Sequence, residues 1–80
     1  MHWVYILASI ADPHRTYVGS TCNLRRRLAE HNAGKSPHTS KHAPWRVVVA
    51  FWFANESRAR EFERYLKSGS GRAFARRHLR

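Results

Sequence analysis

Hydrophobic residues occupy both alternating sets of positions in the segment His2–Ala8 (HWVYILA). An extended chain with two apolar faces is typical of a strand that is covered on both sides. Turn-forming residues follow at 11–14 (ADPH), and Thr16–Gly19 (TYVG) has the composition of a second short strand. The pattern therefore predicts a β-hairpin at the start of the chain.

The next periodic segment has the signals of a helix, with Thr21 or Asn23 as its N-cap and Gly34 at its end. A polar loop that carries histidines separates this helix from Trp45–Phe53 (WRVVVAFWF). The β-branched and aromatic residues of that run predict a third strand.

Two more helices are predicted after the third strand. Asn55 is a good N-cap for a helix through about Lys67, and the SGSG stretch at 68–71 breaks the pattern. Ser70 is then expected to cap a short terminal helix, Gly71 to about Leu79. The order ββαβαα predicts one domain over residues 1–80 of the α+β class: a small three-stranded sheet, antiparallel or mixed, flanked by helices.

Net charge indicates which partner the surface contacts. Fifteen lysines and arginines stand against five acidic residues, which gives a formal charge of +10. A small domain carries such self-repulsion more easily beside a polyanion, so nucleic acid, and DNA first, is the expected partner. An anionic membrane fits less well, because the basic segment 64–80 has few large apolar residues. We expect no membrane contact and infer no obligate protein partner.

The single cysteine, Cys22, excludes an intrachain disulfide and a cysteine-based zinc site. A lone thiol agrees with a reducing compartment, and the predicted location is the cytoplasm. The sequence has no apolar run of about 18 residues, as a membrane-spanning helix would need. Its first residues also lack the basic leader and cleavage site of a signal peptide.

Helical geometry separates the three consecutive arginines of the first helix. Its inner stripe is defined by two leucines, Leu24 and Leu28. At about 100° per residue, His31 falls on the same side as these leucines and Arg27 falls at their edge. Arg25 and Arg26 point away from the stripe, toward solvent. Arg27 and His31 are therefore expected beside the core, one turn apart.

Glu63 lies on the inner stripe of the second helix, between Ala59 and Leu66. A carboxylate beside an apolar face needs a partner, because its burial alone is costly. Taken singly, Glu63 is explained by a salt bridge with an arginine, and His31 by a hydrogen-bonded core histidine. Taken together with Arg27 and two tyrosines, they are also the groups that phosphodiester hydrolysis needs.

The tyrosine-bearing segments resemble the two signatures of the GIY-YIG nuclease domain family. Val4–Ile6 (VYI) stands where the first signature lies, and Tyr17–Gly19 (YVG) matches the second. Arg27 and His31 follow Tyr17 by ten and fourteen positions, which is the spacing of the family. The later segment 62–74 (FERYLKSGSGRAF) is also similar. The resemblance covers essentially the whole chain, and it is closest to small stand-alone bacterial members.

The resemblance implies a metal-dependent endonuclease that hydrolyses phosphodiester bonds of DNA, with a single Mg²⁺ or Mn²⁺ held by Glu63. It implies that Tyr17 is the general base, directly or through a water. Arg27 would bind the scissile phosphate and stabilise the developing charge. Tyr5 would position the nucleophile or the phosphate, and His31 would bind phosphate or assist proton transfer.

Further basic residues are expected to contact phosphates around this centre. They are Arg25, Arg26, Lys35, Lys41, Lys67 and Arg72. His38 or His42 either adds such a contact or is an ordinary exposed histidine, and a zinc site with His31 lacks a recognisable spacing.

Two departures from the family pattern keep a second function open. Ser20 stands where repair nucleases of the family carry lysine, and no asparagine follows Asn55. The alternative is a non-catalytic nucleic-acid-binding module that retains the fold and the basic surface.

Overall fold

The computed structural model describes residues 2–80, and its elements follow the predicted order ββαβαα. The strands and helices are β1 (His2–Ser9), β2 (Thr16–Thr21), α1 (Leu24–Asn32), β3 (Trp45–Phe53), α2 (Glu56–Lys67) and α3 (Gly69–His78). One 3₁₀ turn, Ser40–His42, lies within the loop that was expected to be irregular. The α+β fold class is confirmed.

The three strands form one antiparallel sheet in the order β2-β1-β3, so the antiparallel form of the two expected arrangements is present. β1 is the central strand, which explains why both of its faces are apolar. Tyr5 pairs with Gly19 of β2 on one side and with Ala50 of β3 on the other. The predicted hairpin of β1 and β2 is confirmed.

The two faces of β1 belong to two separate apolar clusters. One face packs under α2 and α3, and its buried members are Val4, Ile6, Ala59, Leu66 and Ala75. The other face packs against α1 and the start of β3, and its buried members are Tyr5, Leu7 and Trp45. Helices therefore cover the sheet on both sides. The predicted inner stripe of α2 is confirmed by the complete burial of Ala59 and Leu66.

Asparagines cap the first two helices. The Asn23 side chain accepts from the amide of Arg26 at 3.1 Å, so of the two residues considered for the α1 cap, Asn23 fills it. Gly34, at φ +76°, takes the left-handed backbone that commonly ends a helix. Asn55 caps α2 as predicted. At 12 residues, α2 is the longest helix among residues 2–80, and none of the described helices is long and apolar enough to cross a membrane.

The junction between α2 and α3 differs from the prediction. Ser68, not Ser70, is the N-cap of α3, and its hydroxyl accepts from the amide of Gly71 at 3.2 Å. The helix consequently begins at Gly69, two residues earlier than expected. A Cβ at Gly71 would collide with the carbonyl of Tyr65, so glycine lets α3 pack closely across the end of α2.

Candidate active site

Tyr5, His31 and Thr39 form a buried chain of hydrogen bonds. The hydroxyl oxygen of Tyr5 lies 3.0 Å from His31 Nε2, and His31 Nδ1 lies 2.7 Å from the hydroxyl oxygen of Thr39. The Thr39 hydroxyl also donates to the carbonyl of Ser36 at 3.4 Å. The chain is satisfied when His31 Nδ1–H donates to Thr39 and the Tyr5 hydroxyl donates to Nε2.

Three separate elements supply this chain: Tyr5 comes from β1, His31 from the last turn of α1, and Thr39 from the following loop. Trp45 holds the loop in place, because its indole N–H donates to the Thr39 carbonyl at 2.8 Å. Asn32 in turn accepts from the Trp45 amide at 2.6 Å and donates to its carbonyl at 3.1 Å. Sequence reasoning missed Thr39, since a threonine in a polar loop carries no periodic signal.

The glycine of the second signature makes room for the two tyrosines. A Cβ at Gly19 would lie 2.5 Å from the Tyr5 hydroxyl oxygen and 2.9 Å from Cε2 of Tyr17. The Tyr17 ring meets His31 edge-on, with 5.0 Å between centroids, and lies 6.4 Å from the Tyr5 ring. Gly19 therefore permits the close approach of Tyr5 from β1 and Tyr17 from β2, and both rings contact His31 of α1.

Arg27 lies at the edge of the inner stripe of α1, as predicted, and is half-buried. Its Nη1 donates to Oε1 of Glu30 at 2.9 Å. This hydrogen bond raises the pKa of Arg27 and lowers the pKa of Glu30. Glu30 was not predicted, although the i,i+3 spacing of a cation and a carboxylate on one helix would have indicated it.

Burial shifts the pKa values of both members of the Tyr5–His31 pair. Burial, followed by the proximity of Tyr17, raises the pKa of Tyr5 to about 12, although the Arg27 guanidinium acts in the opposite direction. Burial and the positive charge of Arg27 lower the pKa of His31 below its ordinary 6.5. Both groups are therefore neutral at pH 7, with the phenol as donor and the imidazole as acceptor.

Glu63 approaches from α2, at the β2 edge of the sheet. Its Oε1 accepts from the Ser20 hydroxyl at 2.8 Å, and its Oε2 accepts from Lys67 Nζ at 2.9 Å. Burial raises the pKa of the Glu63 carboxyl, but the hydrogen bonds from Lys67 and Ser20 outweigh it and the net shift is downward. The ion pair expected for Glu63 exists, but its partner is a lysine and not an arginine.

The residues predicted for the reacting centre lie near one another: four of them cluster at the two tyrosines, and Glu63 is bonded to Ser20, the residue after Gly19. Tyr5, Tyr17, Arg27 and His31 are joined by the ring contacts and electrostatic interactions described above. The negative charge of Glu63 is close enough to contribute to the raised pKa of Tyr5.

The additional basic residues are more widely spread. Arg25 and Arg26 are exposed on α1, and Lys35 and Lys41 are exposed in the loop after it. Lys67 is bound to Glu63. Arg72 lines a cleft beside α2 and α3. Of the loop histidines, His38 is exposed, whereas the His42 ring packs edge-on against Trp45 with 6.4 Å between centroids.

The Glu63 carboxylate and the Ser20 hydroxyl can hold a divalent cation only if water and substrate supply the other ligands of its coordination shell. Across residues 2–80 no three histidine, cysteine or acidic side chains come together as a metal cage, which also removes the histidine-only zinc site. Mg²⁺ is commonly held by one or two carboxylates, with waters and substrate phosphate as the other ligands. Glu63, with the Ser20 hydroxyl beside it, suits that arrangement once the Lys67 ammonium turns away from Oε2.

Comparison with curated proteins finds relatives that share the chain's sequence over most of its length. The structure-specific endonuclease subunit SLX1 of Candida dubliniensis is 40% identical, over 95% of this chain and 28% of the relative. The SLX1 homolog of Drosophila mojavensis is 38% identical, over 75% of this chain and 23% of the relative. The chain thus spans about a quarter of the length of these relatives.

Smaller relatives match nearly end to end. A UPF0213 protein of Natronomonas pharaonis is 40% identical, over 84% of this chain and 78% of the relative. The solution NMR structure of a UPF0213 protein from Bacillus halodurans superposes with a TM-score of 0.57 at 30% identity. That match covers 94% of this chain and 79% of the other. Since the relatives come from several kinds of organism, a bacterial source stays a prediction.

The family assignment rests on a match that covers nearly the whole chain and all parts of the site. The GIY-YIG catalytic domain family matches residues 1–77, a span that includes both tyrosine signatures, α1 and Glu63. The chain belongs to the GIY-YIG catalytic domain family.

Proposed function

We propose that this chain is a metal-dependent endonuclease that hydrolyses phosphodiester bonds of DNA. The observation that carries the proposal is the cluster of Tyr5 and Tyr17 at Gly19, with Arg27 beside Tyr5 and with Glu63 bonded to the neighbouring Ser20. A phenol, a guanidinium and a carboxylate are the groups that move a proton, bind a phosphate and hold a hard cation. Support also comes from the relatives that are named structure-specific endonuclease subunits.

Tyr17 is the proposed general base. It is half-buried, whereas Tyr5 is almost completely buried. In its phenolate form, Tyr17 takes a proton from the attacking water, directly or through a second water, and becomes a neutral phenol. The contact of its ring with His31 fixes the orientation of the phenol.

Arg27 is the proposed phosphate clamp. A planar guanidinium binds two phosphate oxygens at once, and it stabilises the negative charge that builds on them during attack. Glu30 occupies one nitrogen of the fork and holds the side chain in place. The Tyr5 hydroxyl also interacts with the guanidinium, and the remaining N–H groups bind the phosphate.

Tyr5 and His31 position the attacking group. The Tyr5 hydroxyl donates to His31, which leaves its oxygen lone pairs to accept from Arg27 or from a water. His31 is fully buried, so it does not touch phosphate, and we assign it a positioning role that acts through Tyr5. Burial argues against the phosphate contact expected for His31 from the sequence, and the expected assistance in proton transfer would act only through Tyr5.

Glu63 is the proposed ligand of a single Mg²⁺ or Mn²⁺, with the Ser20 hydroxyl beside it. When bound, such an ion polarises the phosphate and stabilises the leaving oxygen. The hydrogen bonds from Lys67 and Ser20 lower the pKa of the carboxyl and keep it ionised, and Lys67 turns away from Oε2 when a cation binds.

One observation favours the non-catalytic alternative. Both oxygens of Glu63 are already hydrogen-bonded within the chain, to Ser20 and to Lys67. If Lys67 does not release the carboxylate, the chain keeps the fold and the basic surface but binds no metal at this position.

A cleavage assay separates the two functions. Supercoiled plasmid, single-stranded DNA, branched DNA and RNA are each incubated with Mg²⁺, Mn²⁺ or EDTA. We expect divalent-dependent cutting of DNA that Glu63→Ala abolishes while binding stays near that of the wild type. Glu61→Ala is the matched control, because Glu61 is an exposed carboxylate on the same helix and forms its ion pair with Arg58. Salt-sensitive binding without any cutting would instead support the binding module.

A further inference from the structure

The cleft that Arg72 lines, with a volume of about 530 Å³, lies between β2 and the junction of α2 with α3. Buried apolar side chains line its bottom: Ile6, Leu66 and Ala75. Basic side chains line its rim: Arg15, Lys67, Arg72 and Arg80. None of the described residues that line it is acidic. The cleft is therefore ligand-sized, apolar below and cationic above.

The arginines of this cleft are not committed to strong partners. Within residues 2–80, none of the ion pairs involves Arg72 or Arg80. Arg15 pairs with Asp12 at 3.7 Å, with 59% and 51% of the two side chains exposed. Such a solvent-exposed pair contributes little and is readily exchanged. Three guanidinium groups are thus available to a single anionic ligand.

The cleft lies next to the proposed metal ligand, because Lys67 on its rim donates to Glu63. The Tyr17 ring itself packs with Tyr5 and His31 on the other face of the sheet. A strand whose scissile phosphate lies beside Glu63 therefore has this basic surface within reach at the β2 edge. The apolar bottom suits the sugars of that strand, and the basic rim suits its phosphates.

We propose that this cleft binds the phosphodiester backbone of one DNA strand next to the cleaved bond, through Arg15, Arg72 and Arg80. The inference rests on the proposed function, and it assigns these three arginines to the part of the substrate strand that lies beside the reacting centre. The contacts are to phosphate and sugar, so they carry no base preference.

A binding measurement in EDTA tests the cleft without any cutting. Fluorescence anisotropy with a labelled single-stranded oligonucleotide compares the Arg15→Gln/Arg72→Gln double variant with wild type over a range of salt concentrations. The matched control is Arg46→Gln/Arg77→Gln, which removes the same charge from exposed residues outside the cleft, on β3 and α3.

Each lost phosphate contact should flatten the slope of log Kd against log salt by about 0.7 for a single strand. The cleft variant should therefore lose about 1.4 of slope, which corresponds to about 25-fold weaker binding at 0.1 M salt. The control should stay near wild type. Equal weakening by both variants would overturn the proposal, because it would show that net charge alone matters. Arg80→Gln supplies an independent variant, with an expected loss of about 0.7.

A neutral backbone locates the bound strand. A branched DNA is prepared with methylphosphonate linkages on one side of the junction or on the other. On the side that the cleft binds, the neutral linkages should weaken binding to the wild type. They should leave binding to the Arg15→Gln/Arg72→Gln variant unchanged, because that variant already lacks the arginines that contact those phosphates. If the losses from the neutral linkages and from the arginine substitutions add on both sides of the junction, the proposal is contradicted. Additive losses would show that the arginines do not contact those linkages.

Failure of the cleft and failure of the nuclease assignment are distinguishable. Binding is scored in EDTA, where no metal-dependent cutting occurs, so a chain that never cuts still reports on the cleft. Conversely, cutting that depends on Glu63 would stand even if the cleft variant bound DNA like its control.

Discussion

The Tyr5 hydroxyl lies 3.0 Å from His31 Nε2, and both side chains are almost completely removed from solvent. This bond joins the central strand to the last turn of α1 across the apolar cluster between them. Because burial disfavours charge on either partner, the pair is held as a neutral phenol and a neutral imidazole. The consequences concern stability as well as chemistry.

Stability should fall as the pH drops below about 6.5, the ordinary pKa of histidine. The pKa of His31 is lowered in the folded chain, so the unfolded chain takes up its proton at a higher pH than the folded chain does. The free energy of unfolding therefore decreases from about pH 6.5 down to the lowered pKa of folded His31. Urea unfolding at successive pH values measures this.

His31→Gln should lose that part of the pH dependence. The carboxylates whose pKa values are lowered, Glu30, Glu56 and Glu63, remove stability only at more acidic pH, below their ordinary 4.5. An unchanged profile between about pH 7 and about pH 5 in His31→Gln would show that another group titrates.

Gly19→Ala should disable the site in a chain that still folds. The new Cβ would force apart Tyr5 and Tyr17, and such overpacking costs about 1–3 kcal/mol. We expect the free energy of unfolding to drop by that amount and the cleavage rate to fall much further. Gly69→Ala is the control, because its Cβ would meet nothing within 4 Å at an exposed helical position. It should be neutral or stabilising by about 0.4–1 kcal/mol.

Arg27→Lys should lower kcat by about 10²-fold and change KM much less. An ammonium keeps the charge but lacks the fork that holds two phosphate oxygens as charge develops. Single-turnover cleavage measures the effect, with Arg46→Lys on β3 as the matched exchange away from the site. A loss confined to KM would mean that Arg27 only binds substrate.

Tyr17→Phe and Tyr5→Phe should separate catalysis from stability. Tyr17→Phe removes only the hydroxyl of a half-buried side chain, so stability should hold while cleavage falls by about 10²–10⁴-fold. Tyr5→Phe leaves His31 Nε2 buried without its partner, which costs about 1–3 kcal/mol of stability. Thermal unfolding and cleavage are measured on both variants. Full activity in Tyr17→Phe would reject its role as base.

Local patterns determined the elements of this protein and the side on which each key residue lies. Apolar periodicity and an N-cap were sufficient for α2, whose bounds at Glu56 and Lys67 agree with the prediction. Helical geometry alone placed Arg27 and His31 beside the core and Arg25 toward solvent. These features depend on residues within one turn or one strand, so the sequence determined them by itself.

Only the tertiary structure decided which groups meet. The partner of Glu63 across the sheet edge is Ser20, 43 positions away, and the buried partner of His31 is a loop threonine, Thr39. Ser68 and not Ser70 caps α3, and this start accompanies the close packing of the helix on α2 at Gly71. Hydrogen bonds between distant residues and clefts between elements depend on three-dimensional packing, and no local period in the sequence records them.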